Sequence, residues 1–219
     1  MRAAALVATL AALALAAAAN AAAYSKDPVQ RHTAADMRRA RALALRRSDL
    51  AAGWTTDKPS KPGPPCTAGP DESSIVQTAR VDPSFTWKDG VTNVGSEVDI
   101  FRSAREARQD WRVSTLDLMT TCLLQSARAG IGKSVRVSLV SAKRLSVSSS
   151  AERALHYRFV LALRSTRTVQ LVADVVALGR GRVTLVLHTL TVRNPLPATV
   201  VNTLVGVLAG RLNAGSLTA

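Results

Sequence analysis

The stretch from Arg153 to Val192 constrains the fold of this chain more than any other. Within it, apolar residues occupy every second position in three successive runs. A period of two is typical of strands that press one face against a core. Short turns separate the runs at residues 165–167 and 179–181, and glycine in the second turn supplies the positive φ that a tight hairpin needs. The pattern therefore predicts three consecutive antiparallel strands.

The flanking regions add further strands and helices to this sheet. Strands are expected at 73–80, 91–101 and 134–147, and helices at 33–47, 103–130 and 194–212. Strands and helices do not alternate regularly, and the apolar helix stripes need a sheet to cover. We therefore predict an α+β fold in which helices pack on a single antiparallel sheet of about six strands.

The predicted helices carry start signals and packing stripes. Thr33 with Asp36, and Ser103 with Glu106, have the spacing of capping boxes. In the closing helix Asn194 is the expected N-cap, followed by two prolines in the first turn. The expected apolar ridge of that helix consists of Leu196, Val200, Leu204, Leu208 and Leu212.

Residues 1–23 have the features of a secretory signal peptide. Arg2 precedes an apolar Ala/Leu stretch, and Ala-x-Ala cleavage sites end at Ala21 and Ala23. An uncleaved membrane anchor is the alternative, although an alanine-dominated stretch of this length is short and weakly hydrophobic for a span. We expect an extracytoplasmic protein with no transmembrane span after signal removal.

The rest of the chain has the size of one domain. Residues 24–32 are expected to be an irregular mature N-terminus, 33–214 the α+β domain with a Pro-rich loop at 55–70, and 215–219 a tail. The chain carries 29 Lys and Arg against 15 Asp and Glu, a net charge of +14. This balance favours anionic partners, and a solvated basic surface is the alternative.

Cys66 and Cys122 are the only cysteines. In an oxidising compartment an even pair predicts a disulfide. The two cysteines lack Cys-x-x-Cys spacing and a nearby histidine. They therefore supply neither a metal ligand set nor an activated nucleophile, and no metal is expected.

Polar residues on the even-numbered face of the three central strands are the candidate binding residues. Asp174 interrupts an otherwise apolar strand, and a buried carboxylate needs a partner. The first turn places Arg158 opposite Asp174, and the second places His188 opposite Val172, diagonal to Asp174. His156 lies on the same predicted face. The set is either a structural ion pair or the polar floor of a groove, in which Arg158 holds a carboxylate or phosphate and His188 senses pH.

Catalytic and cofactor motifs receive little support. An Asp174–His188 pair would suit a hydrolase, but no nucleophile motif accompanies it. Glu97 and Asp99 share a strand face and could bind a cation or transfer protons, or they are simply exposed acids. The glycines at 179–181 join two strands and are no nucleotide loop, so no cofactor is predicted. With only eight aromatic residues, no nucleic acid is expected as a partner.

The order of several segments resembles a known family. These are ALRRSDLAAGW, a cysteine in a Pro-rich loop, GSEVDIFRSAREARQDW, a cysteine in the following helix, YRF and a closing amphipathic helix. The pattern is similar to actinobacterial exported sensor-type domains, such as the extracellular domain of mycobacterial serine/threonine kinases, and to a helix-sheet-helix lipoprotein layout. The resemblance implies a helix-flanked sheet with a ligand-binding cleft and two disulfides. Here only one cysteine pair is present.

These observations lead to one expectation with two alternatives. We expect a monomeric, exported, non-catalytic ligand-binding or sensor-like domain at the cell envelope, whose partner is a small molecule or an envelope component. The alternatives are a secreted hydrolase and a basic structural protein that binds anionic polymers through distributed arginines.

Overall fold

The computed structural model of this protein describes residues 26–58, 66–131 and 134–214. The predicted signal peptide and the tail lie outside these residues. The strands are β1 (Val29–Gln30), β2 (Trp54–Thr56), β3 (Val76–Val81), β4 (Ser84–Trp87), β5 (Asn93–Phe101), β6 (Arg136–Leu145), β7 (Arg153–Arg164), β8 (Thr168–Arg180) and β9 (Val183–Val192). The helices are α1 (Ala34–Leu43), α2 (Ala104–Arg112), α3 (Leu116–Ile131) and α4 (Ala198–Ala214), with a 3-10 turn at Arg47–Asp49.

All described strands belong to one sheet, and the α+β class is confirmed. The sheet order is β1-β3-β5-β9-β8-β7-β6, and β4 pairs with both β5 and β2. The predicted size of about six strands is too small, because the described residues form nine. The sheet is also mixed, since β1 runs parallel to β3. The three unpredicted strands have two to four residues each, too few to show a periodic pattern.

Helices cover the sheet on both faces. One apolar cluster joins α1 and α4 to residues such as Val98, Val176 and Leu185. The other joins α3 to the odd-numbered face of β7, which includes Phe159 and Leu161. The closing helix therefore lies on the opposite side of the sheet from α3, and both faces of the central strands are buried.

The predicted helix at 103–130 is two helices. Ser103 caps the first, since its hydroxyl accepts a hydrogen bond of 3.2 Å from the Glu106 N–H. The chain breaks after Arg112, and Thr115 accepts a longer bond of 3.4 Å from the Leu118 N–H at the start of α3. Serine and threonine at 114 and 115 offer the backbone such side-chain partners, which compete with helix continuation.

The first and last helices also differ from expectation. Thr33 caps α1 as predicted, but the Asp36 carboxylate accepts hydrogen bonds from Thr78 and Arg182 instead of closing a capping box. The closing helix begins at Ala198 rather than next to Asn194. The cause is Pro197, which disfavours helical backbone at the preceding residue.

The buried stripe of α4 is offset from the predicted ridge. Leu204, Leu208 and Leu212 are buried as expected, together with Val201 and Val205, while 39% of Val200 is exposed. Within the described residues, no helix combines the length and apolar character needed to cross a membrane.

Cys66 and Cys122 form the predicted disulfide. The bond ties the end of the Pro-rich loop to α3, and both cysteines are buried. Thr67 reinforces this attachment, because its N–H and its hydroxyl both donate to the Gln125 side-chain oxygen. The segment before β3 is thereby fixed to the helix layer over β6 and β7.

We predict that replacing both cysteines with serine lowers the free energy of unfolding by roughly 4 kcal/mol, because the bond closes a loop with a sequence separation of 56 residues. Urea denaturation of the oxidised protein and the double variant measures this difference. Reduced wild type should match the variant. Equal midpoints for the oxidised and reduced proteins would refute the prediction.

Candidate functional site

Asp174 lies at the centre of a buried polar network on the α4 side of the sheet. Arg158 is its direct cross-strand partner, as the register prediction requires. The Arg158 guanidinium donates two bonds to the carboxylate, 2.8 Å from Nε to Oδ1 and 3.1 Å from Nη2 to Oδ2. His156 donates a third from Nε2 to Oδ1, over 2.9 Å. Three of the four predicted site residues are thus brought together.

The network satisfies its own charge. Only 1% of Asp174 is exposed, and burial alone would raise its pKa. The hydrogen bonds from His156 and Arg158 outweigh burial and hold the pKa of Asp174 below its usual value. The ionised carboxylate therefore stabilises the fold at neutral pH, and this contribution is lost only as the pH falls below the ordinary range of an aspartate. The structural ion pair accounts for all three side chains, and a role for them in binding stays a prediction.

His188 does not join this network, and its predicted register was wrong. It pairs with Val175 instead of Val172. The displacement is an odd number of residues, so it moves His188 to the opposite face of the sheet. The cause is the turn, which consists of Gly181 and Arg182 because β8 continues through Arg180. Contacts of Arg182 with Asp36 and with the Phe101 carbonyl fix that turn.

On its own face, His188 is a buried neutral base. Only 2% of the residue is exposed, and its Nε2 has no hydrogen-bond partner among the described residues. Burial lowers the pKa of His188 to about 4, against a weaker opposing effect of Glu97. The ring lies directly over Gly95, where an added Cβ would be 2.4 Å from Nε2. Glycine at position 95 is therefore a steric requirement of this histidine.

Glu97 and Asp99 share one strand face, as their spacing predicted, and His188 lies on the same face. Glu97 forms an ion pair of 2.7 Å with Arg80, and Gln77 donates a bond of 2.6 Å to Asp99. Burial and the neighbouring Glu97 charge raise the pKa of Asp99 well above its usual value. Within the described residues no three His, Cys, Asp or Glu side chains are arranged to hold a metal ion.

A separate cavity of about 480 Å³ opens on the α4 side of the sheet. Its walls come from the 3-10 turn region, the β2–β4 pair, the β4–β5 turn and the first half of α4. The lining residues are Asp49, Leu50, Ala51, Trp54, Trp87, Asp89, Thr92, Leu196, Thr199, Val200, Thr203 and Leu204. We call this cavity the tryptophan pocket. Its volume is within the ~300–1,000 Å³ of typical ligand sites.

The two tryptophans are fixed by backbone pairing. Trp54 of β2 pairs directly with Trp87 of β4, and their rings meet edge to face with centroids 5.4 Å apart. Gly53 has a φ of +98°, and an added Cβ there would lie 2.6 Å from the Trp87 ring. Arg47 donates a hydrogen bond of 2.8 Å to the Trp54 carbonyl oxygen. These contacts determine where the two rings of the aromatic wall lie.

The acidic groups of the tryptophan pocket are already satisfied. The Asp49 carboxylate accepts bonds of 2.6 and 2.8 Å from Arg211 and another of 2.7 Å from the Arg46 N–H. Asp89 accepts from the backbone N–H groups of Val91 and Thr92 and from the Thr92 hydroxyl. Burial opposes the shift in both, but these bonds keep both pKa values below the usual aspartate value. The pocket thus offers apolar surface and few free polar groups.

Sequence reasoning missed this pocket. The predicted ridge of the closing helix placed Leu196 and Val200 against the sheet. The available signal was the presence of Trp54 and Trp87 in a chain with only three tryptophans, the second followed by the turn dipeptide Asp89-Gly90. No spacing rule connects two such distant positions.

Comparison with known proteins adds no identification. No family model and no curated protein matches this chain.

We predict that His188 makes stability sensitive to mild acid. The folded protein keeps this side chain neutral down to about pH 4, whereas the unfolded chain takes up a proton near pH 6.5. The unfolded state therefore binds more protons between these values, and the free energy of unfolding falls by about 3 kcal/mol as the pH drops across this window. Urea denaturation of wild type and His188→Gln at pH 7 and pH 4 isolates this effect. A stability gap between the two proteins that is independent of pH would contradict it.

We also predict strong coupling between Gly95 and His188. Gly95→Ala should cost on the order of 1–3 kcal/mol because the new methyl overlaps the imidazole. In a His188→Ala background the same change should cost much less, since only the tight Pro83 carbonyl contact of 3.0 Å remains. A double-mutant cycle of unfolding free energies measures the coupling. Additive effects would place the histidine ring elsewhere.

Proposed function

We propose that this protein is an exported, non-catalytic binding domain of the cell envelope that takes a small, neutral, largely apolar molecule in the tryptophan pocket. The observation that carries the proposal is the pocket itself, which is lined by the Trp54–Trp87 pair and by Val200 and Leu204 of α4. Aromatic rings supply large apolar contact area at little cost in side-chain entropy.

The composition of the wall supports a neutral ligand. Asp49 and Asp89 are the charged residues among those lining the pocket, and neither would attract an anion. A cation would gain little from them, because Arg211 already neutralises Asp49 and the hydrogen bonds of the turn already occupy the Asp89 carboxylate. The anionic small molecule considered from the net charge therefore fits this pocket poorly.

Threonine hydroxyl groups offer polar recognition in the pocket. Thr203 donates to the Thr199 carbonyl over 2.8 Å, and Thr92 donates to Asp89 over 2.6 Å. Their oxygens remain as acceptors, so a ligand with one hydroxyl or amide donor would suit the site. Apolar area, not charge pairing, supplies the affinity.

Export is part of the proposal. It rests on the sequence of residues 1–23, and the buried Cys66–Cys122 disulfide is compatible with an oxidising compartment. The resemblance to kinase extracellular domains adds a sensor-like role to the proposal. In that role, another envelope component reads whether the pocket is occupied.

We predict that the neutral dye N-phenyl-1-naphthylamine binds the protein saturably and quenches its tryptophan fluorescence. Val200→Asp should weaken dye binding by at least about tenfold, because it buries a carboxylate against the ligand. Trp87→Ala should also weaken binding, through loss of the aromatic wall. Fluorescence titration measures both effects.

Val140→Asp is the matched control, since this valine is also exposed but lies on β6, away from the pocket. It should bind the dye like wild type. Equal affinity of all four proteins would sink the proposal. Native mass spectrometry of the protein purified from its own envelope then identifies any molecule that travels with it.

A further inference from the structure

The strand β6 forms an open edge of the sheet. It has ten residues, it stands last in the strand order, and within the described part of the chain it is hydrogen-bonded to β7 alone. The backbone N–H and C=O groups on its outer side therefore face away from the sheet without a strand partner. Such a row of groups is a template for one more strand.

Apolar side chains are exposed along this edge. Leu139 is 37% exposed and Val140 52%, and these adjacent residues are two of the four large hydrophobic side chains exposed in the described structure. The pairing register with β7 shifts between Leu139 and Ser141, so Val140 is an extra residue without a direct partner. A bulge of this kind re-aims side chains at a sheet edge.

The same edge carries concentrated positive charge. Arg136 is paired directly with Arg164, and Lys143 directly with Arg158, while Arg144 follows Lys143. Like charges in direct cross-strand positions destabilise a sheet. Asp174 neutralises Arg158, but Arg136, Lys143 and Arg144 form no ion pair with a carboxylate among the described residues.

We propose that β6 is the docking site for an extended, acidic segment of a partner protein, which adds to the sheet as a further strand. Backbone hydrogen bonds give the segment its register, acidic side chains pair with the basic ends of β6, and an apolar side chain covers Leu139 and Val140. This inference uses none of the residues of the tryptophan pocket and does not depend on it.

The charges select this occupant over the others. A second copy would bring its own Arg136, Lys143 and Arg144 against the same residues, so basic residues and the bulge protect the edge from self-pairing. A phosphate-bearing polymer would match the charge. It would leave the exposed valine, the exposed leucine and the backbone groups without a partner, whereas a peptide strand uses all three features.

The probe is a fluorescent peptide with alternating glutamate and valine. It has about ten residues, which is the upper end of the usual range of strand lengths. Fluorescence anisotropy measures its binding to the full protein, and amide hydrogen exchange measures protection of Arg136–Leu145. We expect saturable binding with slowed exchange across β6. A peptide with lysine in place of glutamate should not bind.

Two variants separate strand docking from general attraction to anions. Arg136→Glu with Lys143→Glu should weaken binding of the glutamate peptide about tenfold or more, because these two residues share one face of β6 and two attractive cross-strand pairs become repulsive. Arg38→Glu with Arg41→Glu makes the same change of charge on the exposed side of α1, and should retain binding. Val140→Ser leaves the charge unchanged and should also weaken peptide binding, whereas binding of inorganic polyphosphate should not respond to it.

Three results would overturn the proposal: peptide binding without slowed exchange in β6, equal binding of the lysine peptide, or equal loss of binding in the α1 control. Unchanged peptide affinity in Val140→Ser, with polyphosphate displacing the peptide completely, would assign the surface to anionic polymers instead.

Discussion

The pairing of β8 with its two neighbours is the constraint on which the rest of the structure depends. β8 lies between β7 and β9, and helices cover both faces of this part of the sheet. A polar side chain in the covered middle of β8 is consequently removed from water and needs a partner nearby. Asp174 obtains one because the β7–β8 register places Arg158 directly opposite, with His156 in reach of the same carboxylate. The network is a condition for burying a charge there, since an unpaired carboxylate would be strongly destabilising.

The opposite face solves the same problem differently. His188 is kept neutral by burial, and the space for its ring exists because position 95 has no side chain. On the same face, Gln77 donates a hydrogen bond to Asp99, and Glu97 forms an ion pair with Arg80. The Asp174 network and His188 lie on opposite faces of the sheet, so they have different surroundings. A single polar groove containing both does not exist in this fold.

The tryptophan pocket and the β6 edge lie where the helices leave parts of the sheet uncovered. The first turns of α4 follow a Pro-x-Pro segment and leave Val200 exposed beside Trp54 and Trp87. Arg211, in the last turn of α4, fixes the facing loop through Asp49. At the other edge, α3 reaches β6 but leaves Leu139 and Val140 uncovered. The proposed ligand pocket and the proposed docking edge therefore lie on opposite parts of one sheet.

The sequence by itself determined the central meander, the α+β class, the N-caps Thr33 and Ser103, the disulfide and the pairing of Arg158 with Asp174. The strands, the caps and the register follow from short-range rules: a period of two, a side chain three residues from an N–H, or a tight turn whose length fixes the register. The disulfide follows from the presence of only two cysteines. The tertiary structure alone decided the position of His188, because two glycines allowed more than one turn and contacts of Arg182 with α1 select among them. It also decided the pocket, whose walls come from segments more than a hundred residues apart, from Asp49 to Leu204. Local patterns specify which face of a strand is apolar, but not which distant segments meet to leave a space between them.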